Sequence, residues 1–413
     1  MQTNISEQLL NNPDIKEAES ILRSCVHCGF CTATCPTYQL LSDELDGPRG
    51  RIYLIKQVLE GSEISSKTQS HLDRCLTCRS CETTCPSGVR YGRLVEIGRE
   101  IVDQQVPRSI LQTIPRVLIR KIVPYPQRFA AIYKLGLLLR PLLPTTLKRK
   151  LPVPKISAPV PAITKERKML LLQGCVQSVV TPQTNLAASH ILQKLDIELI
   201  TAPEAGCCGA VSHHLSAAEE GLDFMRRNID AWWPHIEPEV EQGVEAIIIT
   251  ASGCGTVIKD YAELLKHDRQ YADKAKKVSA LAKDVSEVLR DEDLSGLATN
   301  RPDNRSDIKV AFHSPCTLQH GQKLNGVVEN ILRDAGFTLT KVQDPHLCCG
   351  SAGTYSILQP KLSQQLLGNK LTALQNGQPD LIATANIGCQ MHMASKTTLP
   401  VQHWLEIIEE HLA

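Results

Sequence analysis

Apolar positions change rhythm three times along this chain, and each rhythm predicts a different architecture. Over 13–23 they recur at Ile15, Ala18, Ile21 and Leu22, the spacing of one helix face. Helices are also predicted over 52–59, after the turn signal Gly47-Pro48, and over 91–102. Residues 106–161 lose that regularity. Pro107, Pro115, Pro124, Pro126, Pro141, Pro144, Pro152, Pro154, Pro159 and Pro161 interrupt apolar runs such as 130–139. From Lys168 onward, short apolar runs of strand length alternate with helical stretches. Strands are predicted over 169–175, 197–201 and 246–250, with helices over 183–195 and 214–233 between them. A helical excursion at 257–290 and a polar link at 291–307 follow, and then the pattern restarts. Strands over 309–316, 337–340 and 381–384 alternate with helices over 325–335 and 360–375, before Val401 and a helix over 402–412. The predicted fold is α+β and multidomain: a helical N-terminal domain (1–105), a basic Pro-rich connector (106–165), and a duplicated α/β domain with βαβαβ-like halves at 166–292 and 293–413.

Composition narrows the classes of function. The 413 residues suit two or three domains. With 45 basic and 44 acidic residues the net charge is +1, and aromatics are 4%, which argues against nucleic-acid binding. The 16 cysteines are the outlier. The opening Met1-Gln2-Thr3-Asn4-Ile5-Ser6-Glu7 has neither a basic n-region nor an apolar h-region. Clustered thiols in such a chain point to metal binding in a reducing cytoplasm. No apolar run reaches the roughly eighteen residues of a membrane span, so the expected protein is cytoplasmic and at most peripheral on the inner membrane.

Eight of the cysteines form two identical runs. Cys25-Val26-His27-Cys28-Gly29-Phe30-Cys31-Thr32-Ala33-Thr34-Cys35-Pro36 and Cys75-Leu76-Thr77-Cys78-Arg79-Ser80-Cys81-Glu82-Thr83-Thr84-Cys85-Pro86 are both C-x2-C-x2-C-x3-C-P. That run ligates [4Fe–4S] cubanes in two-cluster ferredoxins, where the fourth cysteine serves the other cluster. Zinc is an alternative for one quartet, but two copies each closed by proline favour two clusters. Cys85 is therefore expected to complete Cys25, Cys28 and Cys31, and Cys35 to complete Cys75, Cys78 and Cys81. Between the quartets, Arg49 and Arg51 either sit beside a cluster, where they raise its potential, or are solvated turn residues.

The charges of the connector are basic: Arg108, Arg116, Arg120, Lys121, Arg128, Lys134, Arg140, Lys148, Arg149, Lys150 and Lys155. Such a segment suits an inter-domain link or an element resting on an anionic membrane; alternatively its apolar side packs on its own domains or on a partner subunit.

The remaining eight cysteines mark the duplication. Cys175 to Cys207 and Cys316 to Cys348 each enclose 31 residues, and the two halves are offset by 141 at both markers. Cys175, Cys207, Cys208 and Cys254 in one half, and Cys316, Cys348, Cys349 and Cys389 in the other, follow the ends of predicted strands, where open α/β sheets place ligands. Gly209, Gly253, Gly255, Gly350 and Gly388 permit close approach of backbone to a bulky group. Three readings are open: an iron–sulfur cluster in each half, a redox-active thiol or disulfide site, or a zinc site or a half that has lost its cofactor. His27, His313 and His346 neighbour cysteines and are candidates to hydrogen-bond a cluster or simply to pack; His213 and His214 read as a helix start. Neither G-x-G-x-x-G nor G-x4-G-K-[ST] occurs, so no FAD or NAD is expected on this chain.

The tandem Cys-x31-Cys-Cys-Gly pattern resembles the "CCG" domains of the heterodisulfide reductases. That resemblance implies five cysteines per half around a non-cubane [4Fe–4S] cluster, the last two spaced C-x2-C. Here the fifth positions are Val257 and His392, so the fifth thiolate is absent and an imidazole stands at its place in the second half. The whole layout resembles the glycolate oxidase iron–sulfur subunits, through Cys25-Val26-His27-Cys28-Gly29-Phe30-Cys31, Asp46-Gly47-Pro48-Arg49-Gly50-Arg51 and Cys75-Leu76-Thr77-Cys78. The iron–sulfur subunit of anaerobic glycerol-3-phosphate dehydrogenase and a lactate-utilisation protein share the architecture. The resemblance implies an electron-transfer subunit with no catalytic residue of its own. It would work with FAD-binding flavoprotein subunits that oxidise glycolate to glyoxylate, and deliver electrons toward a quinone. The alternatives are iron–sulfur subunits of lactate or glycerol 3-phosphate dehydrogenases, cysteine-rich halves that themselves reduce a disulfide or other small molecule, and halves that serve only as a docking scaffold.

Overall fold

The computed structural model describes residues 1–6, 9, 11–144, 148–155, 164–237, 243–294 and 308–411. Pro159, Pro161 and most of the polar link lie outside the described residues.

Helix Pro13–Ser24 starts at Asn12, whose side chain accepts from the Asp14 N–H, and it turns Ile15, Ala18, Ile21 and Leu22 inward. It packs with Pro48–Leu59 and Tyr91–Gln105 over a core containing Ile55, Leu59, Leu94 and Val95. Pro48–Leu59 begins one turn earlier than the apolar spacing predicts, because proline is at home in a first helical turn. Gly50 is required there: a Cβ would stand 2.1 Å from the Glu44 carbonyl oxygen.

The connector is more regular than its prolines suggest. Helices Ile110–Ile122 and Pro126–Leu139 form a hairpin, the first opened by a Ser109/Gln112 capping box. Pro124 and Pro126 punctuate the two helices rather than breaking them, and the first helix runs through Pro115. The polar side of the hairpin is tied down: Arg108 pairs with Asp73 and Asp103, and Arg120 and Lys121 pair with Glu220. Part of the hairpin's apolar surface packs on the chain's own domains, as expected: Phe129, Tyr133 and Leu137 cluster with Val180 and Ala251 of the first half and Ile387 of the second. A second apolar strip faces outward, with Leu111 85% and Leu138 76% exposed.

Two four-stranded parallel sheets follow. The first, in order β2-β1-β3-β4, comprises β1 Arg167–Leu171, β2 Ile197–Ile200, β3 Ile247–Ile249 and β4 Ala282–Asp284. The second, in order β6-β5-β7-β8, comprises β5 Lys309–His313, β6 Thr338–Leu339, β7 Leu381–Thr384 and β8 Val401–His403. Each half thus has the three expected strands and a fourth, β4 or β8, too short to announce itself by spacing. The sheets do not have separate cores. Met169, Leu171 and Ile248 of the first pack in one cluster with Val310, Phe312 and Trp404 of the second. The His403 imidazole meets the Thr250 carbonyl at 2.9 Å, and the Ser252 N–H donates to the Ala385 carbonyl at 3.0 Å. The helical N-terminal part closes over the strand ends through Arg79–Asp260 (2.5 Å), Arg90–Glu263 (3.2 Å) and Lys266–Glu17 (2.8 Å).

Candidate iron–sulfur sites

The two cysteine quartets have the same backbone. The residues two and four beyond each first cysteine are left-handed: His27 (φ 55°) and Gly29 (φ 87°) in one loop, Thr77 (φ 52°) and Arg79 (φ 58°) in the other. These reversals coil three cysteines round a common centre. A short helix follows each, Phe30–Ala33 or Ser80–Thr84, and then the fourth cysteine turns extended, at ψ 114° in both Cys35 and Cys85. The following proline forces that turn by clashing with a helical residue before it, so each fourth cysteine leaves its own loop. Thr34 Oγ1 donates to the Ser80 carbonyl and Thr84 Oγ1 to Thr34 Oγ1, at 3.4 and 3.3 Å, which stitches the loops together.

Cys25, Cys28, Cys31 and Cys85 wall one hollow, together with Cys81, Arg49 and Tyr91. Burial pushes the Cys31 thiol up to about 11, with Cys25, Cys85 and Cys28 adding to the shift. The Cys81 thiol is raised by burial and then by Cys78 and Cys75, with Cys35 contributing, so it belongs electrostatically to the second group. Cys75 is lowered: burial opposes ionisation, but the Arg51 and Arg99 guanidiniums, the Thr77 N–H and the Tyr91 hydroxyl outweigh it. Arg51 is 1% exposed, bonded to the His71 carbonyl, Thr37 and Asp46, so it is a buried cation beside the thiols rather than a solvated turn residue. Arg49 is more exposed, pairs with Glu44 at 2.6 Å and lines the first hollow.

In the cysteine-rich halves, the four sulfurs of each half form a chain of neighbours. Cys175 meets Cys207, Cys207 meets Cys208, and Cys208 meets Cys254; Cys316, Cys348, Cys349 and Cys389 repeat the sequence, with Cys316 and Cys348 at 4.0 Å. All are free thiols. Gly209 and Gly350 (φ 88° and 86°) bring the Cys-Cys pairs against a helix, where a Cβ would lie 2.6 Å from the Gly221 carbonyl oxygen or 2.7 Å from that of Ser363. Asn228 donates to the Cys207 carbonyl and Tyr261 to the Cys208 carbonyl, both at 2.9 Å, fixing the first pair. Both quartets open on one cavity of about 570 Å³, which also touches Cys75 and Leu76. Cys78 and Leu76 pack against Cys316, Cys348 and Tyr355, so the second ferredoxin-type loop abuts the second half directly.

Neighbouring thiols and burial raise Cys175, Cys208, Cys316, Cys348 and Cys349 well above the ordinary range. Thiols packed this way ionise only when a metal compensates them, since coordination deprotonates a thiol outright. The donor set is four soft sulfurs per half in a roomy cavity, which fits a sulfur-ligated metal centre and not a structural disulfide.

The histidines separate by position. His27 contacts the Met1 sulfur at 2.9 Å and lines the first hollow; its pKa is lowered by burial and then by Arg49. His213 and His214 end, rather than start, the helix Ala210–His214, and both face Glu96 at 3.5 and 3.4 Å. His346 does not line the cavity; its carbonyl meets His320 at 3.1 Å. His392, lowered to about 4 by burial, meets Ser363 Oγ at 3.0 Å. The imidazole gathered with the thiols is that of His313, one nitrogen of which lies within 4.8 Å of the Cys349 and Cys389 sulfurs, as those sulfurs do of one another. Burial holds it well below 6.5, in the neutral form that can ligate a metal. Val257 is core, packed with Tyr261. Lys370, whose Nζ donates to the Asp344 and Pro345 carbonyls, carries a buried amine toward Cys349 and Cys348. Nothing in the sequence marked it, because a single lysine in an amphipathic helix carries no motif.

Known families match the same segments. Residues 21–89 match a 4Fe-4S dicluster domain, and 169–259 and 310–394 match the cysteine-rich domain, so the cofactors of this chain are iron–sulfur clusters. Over 413 residues the chain is 57% identical to the glycolate oxidase iron-sulfur subunit of Escherichia coli (strain K12), covering 100% of this chain and 99% of the relative. A probable glycolate oxidase iron-sulfur subunit of Bacillus subtilis (strain 168) is 30% identical, covering 94% of this chain and 91% of its own. Lactate utilization protein A of Geobacillus sp. (strain WCH70) is 24% identical over 58% of this chain and 98% of its own. Two pseudo-symmetric cluster loops, a duplicated cysteine-rich sheet and identity along the full length lead to one assignment: the chain belongs to the family of glycolate oxidase iron–sulfur subunits.

Proposed function

We propose that this chain takes electrons from a FAD-bearing partner that oxidises glycolate to glyoxylate, and passes them toward a quinone at the cytoplasmic face of the membrane. The observation that carries this reading is the continuity of the cysteines. The hollow of Cys25, Cys28, Cys31 and Cys85 adjoins the group of Cys75, Cys78, Cys81 and Cys35, whose Cys78 packs beside Cys316 and Cys348. The cavity beyond is walled by all eight remaining cysteines. We assign Cys25, Cys28, Cys31 and Cys85 to one cubane, Cys75, Cys78, Cys81 and Cys35 to another, and one cysteine quartet to a centre in each half, along the domain divisions 1–105, 106–165, 166–292 and 293–413. Iron–sulfur clusters supply one-electron carriers when bound. The chain's own residues would hold them: Arg51 and Arg99 stabilise ionised Cys75, and Leu76 and Tyr355 pack the second loop against the second half.

The connector hairpin is the proposed membrane contact. No helix of the described residues is long and apolar enough to cross a bilayer. Yet Ile110, Leu111, Ile114, Leu118, Leu135 and Leu138 are exposed in a segment, 106–161, that has no acidic residue. An exposed apolar strip in a segment whose own charges are all basic suits an anionic lipid surface. The shared 570 Å³ cavity also favours a second reading, in which the halves reduce a small molecule directly; substituting Cys207 or Cys348 by Ser should then abolish turnover without touching the cubanes.

A tagged copy isolated anaerobically tests the main reading. It should bring down a flavoprotein and carry about sixteen irons, against about eight if only the N-terminal quartets are filled. Isolation of a fully metallated chain with no flavoprotein sinks it.

A further inference from the structure

We propose that His313 supplies a nitrogen ligand to the metal centre of the second cysteine-rich half, beside Cys349 and Cys389, and that the first half has no such ligand. The inference rests on the reading that the halves hold metal centres.

His313 ends β5, opposite Thr384 of β7 in the parallel register, at the sheet edge where the cysteines gather. Its side chain is 2% exposed. Neither ring nitrogen has a hydrogen-bond partner among the described residues. An imidazole buried without a partner is costly, and a core position can hold a hydrocarbon without that cost. The first half does so: at the 141-residue offset that superimposes Cys175 on Cys316, the place of His313 is taken by Leu172. Leu172 packs into the core beside Cys208 as an ordinary aliphatic residue. The duplicated scaffold therefore does not need an imidazole here.

What the imidazole has instead of a partner is two sulfurs. One ring nitrogen and the Cys349 and Cys389 Sγ atoms lie within 4.8 Å of one another, all three residues buried. The Asn386 side-chain amide donates to Cys389 Sγ at 3.5 Å, so that sulfur is already oriented from its other side. A neutral imidazole offers one lone pair, and iron–sulfur centres accept histidine in place of cysteine, with a rise in potential. His392 is engaged by Ser363 and lies outside this group.

The test uses the full-length protein, purified anaerobically from cells grown on ¹⁵N-histidine and ⁵⁷Fe, with iron analysis, Mössbauer spectroscopy and pulsed EPR. The proposal expects about sixteen irons and a directly coupled histidine nitrogen that is lost in His313→Leu and retained in His392→Gln. Should His313→Leu fail to fold, His313→Cys is decisive, because it keeps a ligand: iron stays near wild type while the nitrogen coupling disappears. Full iron with no nitrogen coupling, or coupling that survives His313→Cys, overturns the proposal alone. A count of about eight irons, with no metal in the halves, overturns the reading beneath it as well, so the two failures are told apart by iron content.

Discussion

Leu172 and Asn228 in the first cysteine-rich half stand where the second half has His313 and Lys370. The first pair is related by the offset of the cysteines, the second by the matching helix faces, on which Gly221 and Ser363 meet the glycines after the Cys-Cys pairs. All four are buried. The strand order, the chain of sulfurs and the glycine after each Cys-Cys pair are the same. The second half replaces a hydrocarbon with an imidazole and a neutral amide with an amine near its thiols. Its Cys316 and Cys348 pack on the second ferredoxin-type loop, which the first half meets through the Arg79–Asp260 pair instead. A duplicated scaffold fixes where ligands converge; the charge buried behind them sets what each copy does.

The strongest challenge to treating the halves as separate units is their shared core. Trp404 is fully buried among residues of both sheets. Trp404→Ala should cost about 3–5 kcal/mol, the usual range for emptying a core aromatic, and lower a single melting transition of the metallated protein. Two transitions, only the second moving, would show that the halves unfold independently.

Glu406 sharpens the same point. It accepts from Thr184 Oγ1 across the interface between the halves, and burial pushes it up from 4.5 to about 7. A carboxyl whose folded pKa is raised contributes stability fully below its unfolded value and loses it as pH climbs through the folded one. The window therefore runs from 4.5 to about 7, and the contribution is roughly 3 kcal/mol. Glu406→Gln should flatten the fall in melting temperature between about pH 5 and 8; a slope equal to wild type means Glu406 is not the titrating group.

The smallest effect probes the asymmetry itself. Lys370 lies close to Cys349, Cys348 and Cys316. Lys370→Met should lower the potential of the second-half centre by on the order of 60 mV, equivalent to about 1.4 kcal/mol for one electron, and leave the first half unmoved. A redox titration followed by EPR reads both; an equal shift in the two halves would erase the distinction.

Much of this arrangement was legible in the sequence, for identifiable reasons. The quartets carry their geometry locally, in the left-handed residues and the pre-proline turn. The duplication shows in cysteine spacing, because a parallel sheet returns each strand to the same edge. β4 was hidden because three residues, Ala282–Asp284, are too few for any period to register. The connector read as broken because Pro115, Pro124 and Pro126 sit where helices tolerate them. His392 drew attention by its distance along the chain from Cys389, whereas His313, marked in the sequence only by its nearness to Cys316, comes from β5 and meets the Cys349 and Cys389 sulfurs only once the sheet is folded. Lys370 belongs to a helix whose neighbours are known only once the sheet is folded.

The reach of β8 across the molecule sets an order of assembly. His403 bonds a carbonyl made 153 residues earlier. At about 5–20 residues per second of synthesis, the nascent first half waits roughly 8–30 s for the segment that completes its core. Through that interval Cys175, Cys207, Cys208 and Cys254 wall a cavity whose other side does not yet exist. The cavity is therefore complete only once the second half has been made.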